Sequence, residues 1–161
     1  LLVFTAFIAL VNSLLGDLLG DITGLNGVIA DLTDGRYEAF SLEFILGYTL
    51  SPLTWLLGVS WQDAPAVGQL LGEKTILNEF YAYTTMSGMV EKGMFSDPRS
   101  MVISTYILCG FANFASIGIQ LGGIGAIAPN RRGDLAKLGI KALIAGTLAS
   151  LYTGVIVGML I

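Results

Sequence analysis

The sequence predicts an all-α integral membrane protein built from spanning helices, a re-entrant helical hairpin and a discontinuous helix. Of its 161 residues, 54% are hydrophobic and only 12% are charged, whereas soluble domains carry about 25% charged residues. Apolar runs of membrane length lie on both sides of the centre of the chain. Two apolar segments are also interrupted at mid-length by polar residues or glycines, a pattern typical of half-helices.

The composition also excludes several classes of protein. No basic stripe is present, so nucleic acid is not an expected partner. Histidine is absent and Cys109 is the single cysteine, which rules out a disulfide framework and the usual zinc or iron–sulfur spacings. We therefore predict no metal site, no catalytic residue and no enzymatic activity. Cys109 itself is expected to be a small buried packing residue.

The first region of the chain, residues 1–40, combines an apolar run with an acidic connection. Residues 1–15 read as the end of a spanning helix, without an initiator Met or a basic flank. We therefore expect the chain to be a C-terminal fragment of a larger membrane protein. Residues 16–39 are rich in Gly and Asp and are predicted to form a solvated loop, without the spacing of a calcium loop.

The second region, residues 41–60, is predicted to be a spanning helix over residues 41–59. Pro52 lies inside it and should produce a kink, because proline removes a backbone hydrogen bond. Trp55 and Trp61 lie near its far end, as expected for the aromatic belt of a membrane protein.

The third region, residues 61–161, begins with a predicted re-entrant hairpin over residues 64–92. Asp63 is placed to cap its first helix, and Pro65 suits the first turn. This first helix, which runs to Leu77, is too short and too polar to span a bilayer, and a second short helix over residues 80–90 follows it at once. Such a hairpin is tolerated only where it is buried in protein or lines a cavity. Its tip is predicted at Asn78 and Glu79.

A broken helix over residues 98–128 and a final helix over residues 134–161 complete the third region. Asp97 should cap the broken helix, and polar residues and glycines interrupt it around Asn113 and Ser116. Asp134 is predicted to cap the final helix. Small residues recur at every fourth position of that helix and should pack closely on another helix: Ala142, Gly146, Ser150, Gly154 and Gly158.

Basic residues predict the orientation of the chain in its membrane. Arg131, Arg132, Lys137 and Lys141 lie between the last two helices, and the positive-inside rule places that loop in the cytoplasm. The C-terminus of this multi-pass protein is then external, the hairpin enters from outside, and the loop over residues 16–39 is internal.

The polar residues at mid-depth are the candidate binding residues. A charge such as Glu79 at bilayer depth costs about 2.5–3.5 kcal/mol, so it usually faces a cavity and has a function. Glu79 could instead pair with Lys74 or cap a neighbouring helix, and Asn113 and Ser116, three residues apart on one helical face, could simply join helices. Together the three suit a polyhydroxylated, uncharged solute. Phe111 would be an apolar wall or core filler.

Long strings of residues resemble the concentrative nucleoside transporter family. They are Asn-Glu-Phe-Tyr-Ala-Tyr from Asn78, Cys-Gly-Phe-Ala-Asn-Phe-Ala-Ser-Ile-Gly from Cys109, the run from Leu121 to Lys137, and Gly-Thr-Leu-Ala-Ser from Gly146. The resemblance covers most of the chain but only the C-terminal part of the family.

This resemblance implies ion-coupled nucleoside uptake across the cytoplasmic (inner) membrane by a homotrimer that works by alternating access. Glu79, Asn113 and Ser116 would bind the ribose, Asn78 would be a further substrate-binding residue at the hairpin tip, and Phe111 would lie near the base. The helix over residues 41–59 would belong to the trimer scaffold, while the hairpin and the last two helices would move with the substrate.

The resemblance also indicates what this chain lacks. Ala115 stands where many relatives carry a second serine before Ser116, which should thin the hydrogen bonding. The family's sodium site and base-recognising residues would lie in a missing N-terminal part, so no cofactor is expected in this fragment and the coupling ion, sodium or proton, belongs to the full protein. A gate-like helical module of a channel, metal permease or sensor is the alternative, and a purely structural helical bundle is the third hypothesis.

Overall fold

The computed structural model of the protein describes residues 2–33 and 35–161, and within these ranges every regular element is helical. This confirms the predicted all-α class. Nine α-helices follow one another in the described ranges: α1 Leu2–Asn12, α2 Asp21–Thr23, α3 Leu25–Leu32, α4 Leu42–Leu56, α5 Ala64–Ile76, α6 Glu79–Glu91, α7 Pro98–Leu108, α8 Phe114–Ile127 and α9 Arg132–Leu160. Two helical stretches of the described chain are long and apolar enough to cross a membrane, Ala6–Thr23 and Pro129–Leu160.

The N-terminal region is more helical than the sequence predicts. A π-helical stretch, Ser13–Gly20, joins α1 directly to α2, and α3 follows. The prediction of a loop over residues 16–39 is therefore wrong as far as the end of α3 at Leu32. Asp17, Asp21 and Asp31 remain exposed, whereas the half-buried Asn26 makes hydrogen bonds that hold this region together. The Asn26 side chain donates to the Gly16 carbonyl at 3.1 Å and accepts from the Phe40 amide at 2.8 Å. These bonds hold the chain after Gly24, which has a φ of 71°, against the helix before it.

Helix α4 is shorter than the predicted span. It covers 15 residues, or about 22 Å at 1.5 Å per residue, rather than the whole of residues 41–59. The Ser41 hydroxyl caps it by accepting from the Phe44 amide at 3.2 Å. Pro52 lies inside the helix, which continues to Leu56. The exposed rings of Trp55 and Trp61 pack edge to face, with centroids 6.1 Å apart.

The hairpin forms where the sequence predicts it, as α5 and α6 joined at Leu77 and Asn78. The predicted cap is wrong, because the Asp63 carboxylate makes no cap hydrogen bond to α5. It accepts instead from the amides of Ser96 at 2.8 Å and Asp97 at 3.1 Å. Asp63 therefore connects the start of the hairpin to the start of the next helix.

The predicted broken helix is also present, as α7 and α8 separated by residues 109–113. Asp97 caps α7 as predicted, with its carboxylate accepting from the Arg99 amide at 2.8 Å. Cys109 is exposed, which corrects the prediction of a buried residue. The helix ends at Leu108 and the backbone turns at Cys109, so its side chain leaves the packed face of α7.

Helix α9 starts slightly before the predicted boundary. It begins at Arg132 after a short 3₁₀ turn, Pro129–Arg131, and Asp134 makes no cap hydrogen bond. The Asp134 carboxylate instead accepts from Arg131 Nε at 2.6 Å. The predicted small-residue face does pack closely, because a Cβ built at Gly154 would lie 2.5 Å from the Ile107 side chain.

Helices α5 and α7 carry the core of the described chain. One cluster joins them to α9 and contains Val67, Leu71, Ile103, Ile107 and Leu151 together with Val59. A second joins α5, α6 and α7 and contains Ala66, Leu70, Ala82, Met86, Met89 and Leu108. Helix α4 packs along α5, and α9 packs along α7. This packing places the hairpin tip next to the break between α7 and α8.

Candidate functional site

The hairpin tip and the helix break meet through a direct hydrogen bond. The Asn113 side-chain amide donates to Glu79 Oε2 at 3.0 Å. Glu79 is the first residue of α6, and Asn113 immediately precedes α8. The two residues that the sequence singled out on separate elements are therefore neighbours.

Both half-helices begin with the same cap. Asn78 and Asn113 have extended backbones, and each side-chain oxygen accepts from an amide three residues later, that of Tyr81 at 2.9 Å and that of Ser116 at 2.7 Å. The N-termini of α6 and α8 thus meet near the Glu79 carboxylate. Helix N-termini carry partial positive charge, which accounts physically for a carboxylate in this position.

Capping rather than a shared helical face brings Ser116 to Asn113. The Ser116 hydroxyl donates to Asn113 Oδ1 at 2.8 Å, beside the bond from the Ser116 amide. Asn113 lies outside α8 with φ −147° and ψ 165°, so the predicted helical geometry of the pair is wrong although their proximity is right. Glu79, Asn113 and Ser116 form one continuous hydrogen-bonded chain.

A cavity of about 320 Å³ adjoins this chain between α8 and α9, near the lower end of the range for ligand sites. Phe111, Asn113 and Ser116 lie on its wall, and Glu79 does not. Phe111 is 71% exposed, whereas Asn113 and Ser116 are 1% and 6% exposed. Phe111 is therefore available as a wall for a ligand and is not core filler in the described structure.

Lys74 is a polar residue near the site that the sequence suggested only as an alternative ion-pair partner of Glu79. It is fully buried on α5, and its Nζ donates to the Ile107 carbonyl at 2.8 Å. It makes no ion pair with Glu79; among the described residues the single ion pair joins Arg131 and Asp134. The lysine thus donates a hydrogen bond to a carbonyl at the end of α7, where the helix break leaves carbonyls without helical partners. The sequence feature that could have pointed to a role for Lys74 near the site is its charge, only five positions before Glu79.

The described part of the chain contains no group of three or more His, Cys, Asp or Glu residues that could hold a metal ion. What it offers to a ligand is one carboxylate, amide and hydroxyl groups, and an exposed aromatic ring beside a cavity. Polar groups held at the N-termini of discontinuous helices are a feature of membrane transporters.

Comparison with known proteins identifies the family. The chain belongs to the family described as "Na+ dependent nucleoside transporter C-terminus", whose model matches residues 1–158. This confirms the resemblance found in the sequence. Members of this family are membrane transporters rather than enzymes.

Individual relatives match over most of the chain. It is 47% identical over 161 residues to "Uncharacterized transporter YutK" of Bacillus subtilis (strain 168), covering 100% of this chain and 36% of that protein. It is 36% identical over 172 residues to "Sodium/nucleoside cotransporter 1" of Sus scrofa, covering 99% of this chain and 25% of that one.

A solved structure shares the fold. The structure of CNTnw in an inward-facing substrate-bound state superposes with a TM-score of 0.77 at 39% identity, over 98% of this chain and 35% of that one. The chain thus spans 25–36% of the length of these proteins.

Proposed function

We propose that this chain is the C-terminal part of an ion-coupled nucleoside symporter and that it binds the ribose of the nucleoside at mid-membrane. The observation that carries the proposal is the hydrogen-bonded chain from Glu79 through Asn113 to Ser116, formed where two half-helices begin. Family membership supports the substrate class, because a relative is described as a sodium/nucleoside cotransporter.

The chemistry of these groups suits a ribose. Glu79 can accept hydrogen bonds from two hydroxyl groups, and such charge-assisted bonds are about twice as strong as neutral ones. Asn113 has a second amide hydrogen, while its oxygen is occupied by the cap of α8. Asn78 holds the tip on which Glu79 is mounted. Phe111, exposed at the cavity, would stack on or enclose the base.

Substrate entry requires the site to open. Asn113 and Ser116 are almost completely buried, so a nucleoside has to separate α8 from its neighbours or displace the bond between Glu79 and Asn113. A two-state mechanism follows, in which the hairpin, the broken helix and α9 move past α4 as the scaffold. By linkage, the coupled ion promotes binding only if it prefers the nucleoside-competent state.

Family membership supports the remaining parts of the proposal. The coupling ion is sodium or a proton and binds to the N-terminal part of the same transporter, the assembly is a homotrimer, and the lipid bilayer is the cytoplasmic membrane. The loop at Arg131 and Arg132 is cytoplasmic and the C-terminus external. The exposed apolar side chains of α9, among them Leu138, Ile144, Leu148 and Tyr152, would face lipid or the other parts of the transporter.

The alternative is a gate-like helical module of a channel, metal permease or sensor. The hairpin and broken helix would serve this function equally well as architecture. The described residues do not favour a metal permease, because they contain no cluster of metal-ligating side chains. Family membership favours the symporter.

The test is uridine binding and uptake by the full-length transporter in proteoliposomes. Glu79→Gln removes the charge that accepts from ribose hydroxyls, and Asn113→Ala removes the adjoining amide. Loss of a hydrogen bond to a charged group costs about 1.5–3 kcal/mol, so we expect the Kd for uridine to rise about tenfold to one-hundredfold in Glu79→Gln.

Glu91→Gln is the matched control, because Glu91 is the last residue of the same helix α6 and is exposed. Its uptake should equal that of the wild type. Unchanged uridine binding in both Glu79→Gln and Asn113→Ala would contradict the assignment of the site.

A further inference from the structure

Glu73 is a buried carboxyl group that the proposed binding site does not use. It lies on α5, one turn and a half before the hairpin tip, and is only 5% exposed. Its Oε1 accepts from Gln69 Nε2 at 2.8 Å. Its Oε2 has no hydrogen-bond partner in the described structure, although the Thr85 hydroxyl of α6 lies near the carboxyl group.

Apart from Gln69 and Thr85, the side chains around Glu73 are apolar, acidic or phenolic. It lines a small cavity between α1, α4, α5 and α6, whose walls include the aliphatic side chains of Ile8 and Leu46. Glu43 of α4 and Tyr81 of α6 are the titratable groups on that wall, and Tyr37, which precedes α4, is also close enough to interact electrostatically. No Lys or Arg of the described chain forms an ion pair with Glu73.

Glu43 reinforces the acidic character of this place. The Asn12 amide of α1 donates to both of its carboxylate oxygens, at 3.0 and 2.9 Å. These two hydrogen bonds hold the Glu43 carboxylate in position. Glu73 therefore faces a fixed acidic residue on α4 while one of its own oxygens is unpaired.

We propose that Glu73 is a proton-binding site in the interface between the hairpin and α4, and that the packing of these elements depends on the bound proton. An ionised carboxylate without a partner in an apolar interface is very unfavourable, and a second carboxylate opposite adds repulsion. With a proton bound, Glu73 is neutral and the packed arrangement is stable. Loss of the proton favours separation of α5 from α4, which lets water reach the carboxylate.

The geometry gives this site room for a water molecule and a mechanical consequence. The cavity has a volume of about 10 Å³, about enough for one water molecule. Helices α4 and α5 are packed so closely that a Cβ at Gly68 would lie 2.4 Å from the Gly47 carbonyl oxygen. If α4 belongs to the scaffold and α5 to the moving part, as the proposed function holds, the proton at Glu73 regulates their relative movement.

The experiment uses purified full-length transporter in lipid nanodiscs and does not depend on transport. Infrared difference spectra are recorded as the pH is raised, together with thermal unfolding at each pH. In the wild type, we expect a carbonyl band of a protonated carboxyl group that disappears at high pH. Above the ordinary ionisation range of Glu, about pH 4.3, the folded protein holds a proton that the unfolded chain releases, so stability falls as the pH rises.

Glu73→Gln mimics the protonated side chain and should remove both effects. The wild-type folding equilibrium should weaken by up to about tenfold per pH unit, the limit for one proton, relative to Glu73→Gln. Glu91→Gln, which changes an exposed carboxylate of the same hairpin, should retain the band and the pH dependence. A band that persists in Glu73→Gln, or parallel loss of stability in the two proteins, would overturn the proposal.

Glu43→Gln provides a second variant that leaves Glu73 intact. It removes the facing negative charge, so the band should disappear at lower pH than in the wild type. An unchanged or higher pH would contradict the arrangement. Uridine binding measured on the same samples tests the proposed function separately, since the band and the unfolding profile require no substrate.

Discussion

At the scale of single residues, Asn113 serves two purposes at once. Its oxygen caps α8 by accepting from the amide and the hydroxyl of Ser116, and its amide donates to Glu79. A serine or aspartate could cap a helix equally well, but neither can offer a neutral N–H donor to a carboxylate at the same time. The side-chain amide is therefore the group that this junction requires.

This division of roles predicts unequal effects of two substitutions. Ser116→Ala removes one bond to Asn113 but leaves the backbone cap, so uridine binding should weaken by about 0.5–1.5 kcal/mol, or up to about tenfold in Kd. Asn113→Ala removes the cap, worth about 0.5–2 kcal/mol, and also the donor to Glu79, so its loss should be larger. Isothermal titration calorimetry on the full-length protein measures both.

Thr153→Ala is the control for the serine variant. Its hydroxyl donates to the Ala149 carbonyl on an exposed face of α9, so its removal should leave uridine binding unchanged. Equal losses in Ser116→Ala and Asn113→Ala would mean that the cap geometry does not determine the contribution of these residues.

At the scale of elements, the contact between α4 and α5 depends on the absence of side chains. A Cβ at Gly68 would lie 2.4 Å from the Gly47 carbonyl oxygen and 3.2 Å from the Ser51 amide nitrogen, both backbone atoms. Backbone atoms in a packed helix pair cannot rotate away as a side chain can. The distance between the two helices is therefore set by glycine.

Gly68→Ala should force the helices apart. Overpacking of this kind costs about 1–3 kcal/mol, so we expect a lower unfolding temperature and a weaker folding equilibrium in detergent. Gly88→Ala is the matched control on α6, where nothing lies within 4 Å of the added Cβ. It should be neutral, or stabilising by up to about 1 kcal/mol, because alanine is the better helix former. Equal stability of the two variants would contradict the close approach.

At the scale of the whole molecule, the hairpin and the broken helix are joined at both ends. Glu79 meets Asn113 at the tip, and the Asp63 carboxylate accepts from the amides of Ser96 and Asp97 at the base. Lys74 adds a third connection between these elements through the Ile107 carbonyl. The two interrupted elements therefore form one unit, consistent with their moving together.

The base of this unit should be sensitive to acid. Burial raises the pKa of Asp63, but hydrogen bonding to the Ser96 amide, to the side chains of Ser100 and Ser60 and to the Asp97 amide outweighs burial, and the net pKa is lowered. The unfolded chain then takes up the proton first as the pH falls. The resulting stability is complete above the unfolded pKa of about 3.9 and is lost as the pH falls through the folded value.

Thermal unfolding of the full-length protein between neutral and acidic pH measures this contribution. Asp63→Asn should be less stable than the wild type at neutral pH, and the difference should shrink as the pH falls. Asp31→Asn, at an exposed position on α3, should follow the wild type throughout. A difference that grows toward acidic pH would contradict the role given to Asp63.

The predictable parts of this fold are those with strong local signals. Pro98 after Asp97, the short polar run after Pro65, and the interruption around Asn113 each specify a helix start or a break through the backbone itself. The failures have a common cause. Asp63 and Asp134 have the residue type and position of helix caps, but neither caps its helix. The Asp63 carboxylate accepts a hydrogen bond from the Ser96 amide, and the Asp134 carboxylate forms an ion pair with Arg131.

The prediction for the N-terminal region was wrong for a related reason. Composition alone indicates a loop where Gly and Asp are frequent, yet the Asn26 side chain forms hydrogen bonds with both the Gly16 carbonyl and the Phe40 amide. Such pairings join residues that are 10 and 14 positions apart, and no local pattern in the sequence reports them.

The sequence by itself determined that this is a helical membrane protein with a polar hairpin tip and a polar helix break, because hydropathy, proline and capping residues act locally. It also singled out Glu79, Asn113 and Ser116, because polar groups are costly in an apolar run. Only the tertiary structure decided that Glu79 and Asn113 form a hydrogen bond and that Lys74 donates to the Ile107 carbonyl instead of pairing with Glu79. It also decided that Glu73 is buried opposite Glu43. These outcomes depend on which helix faces pack together, and that packing is a property of the whole chain.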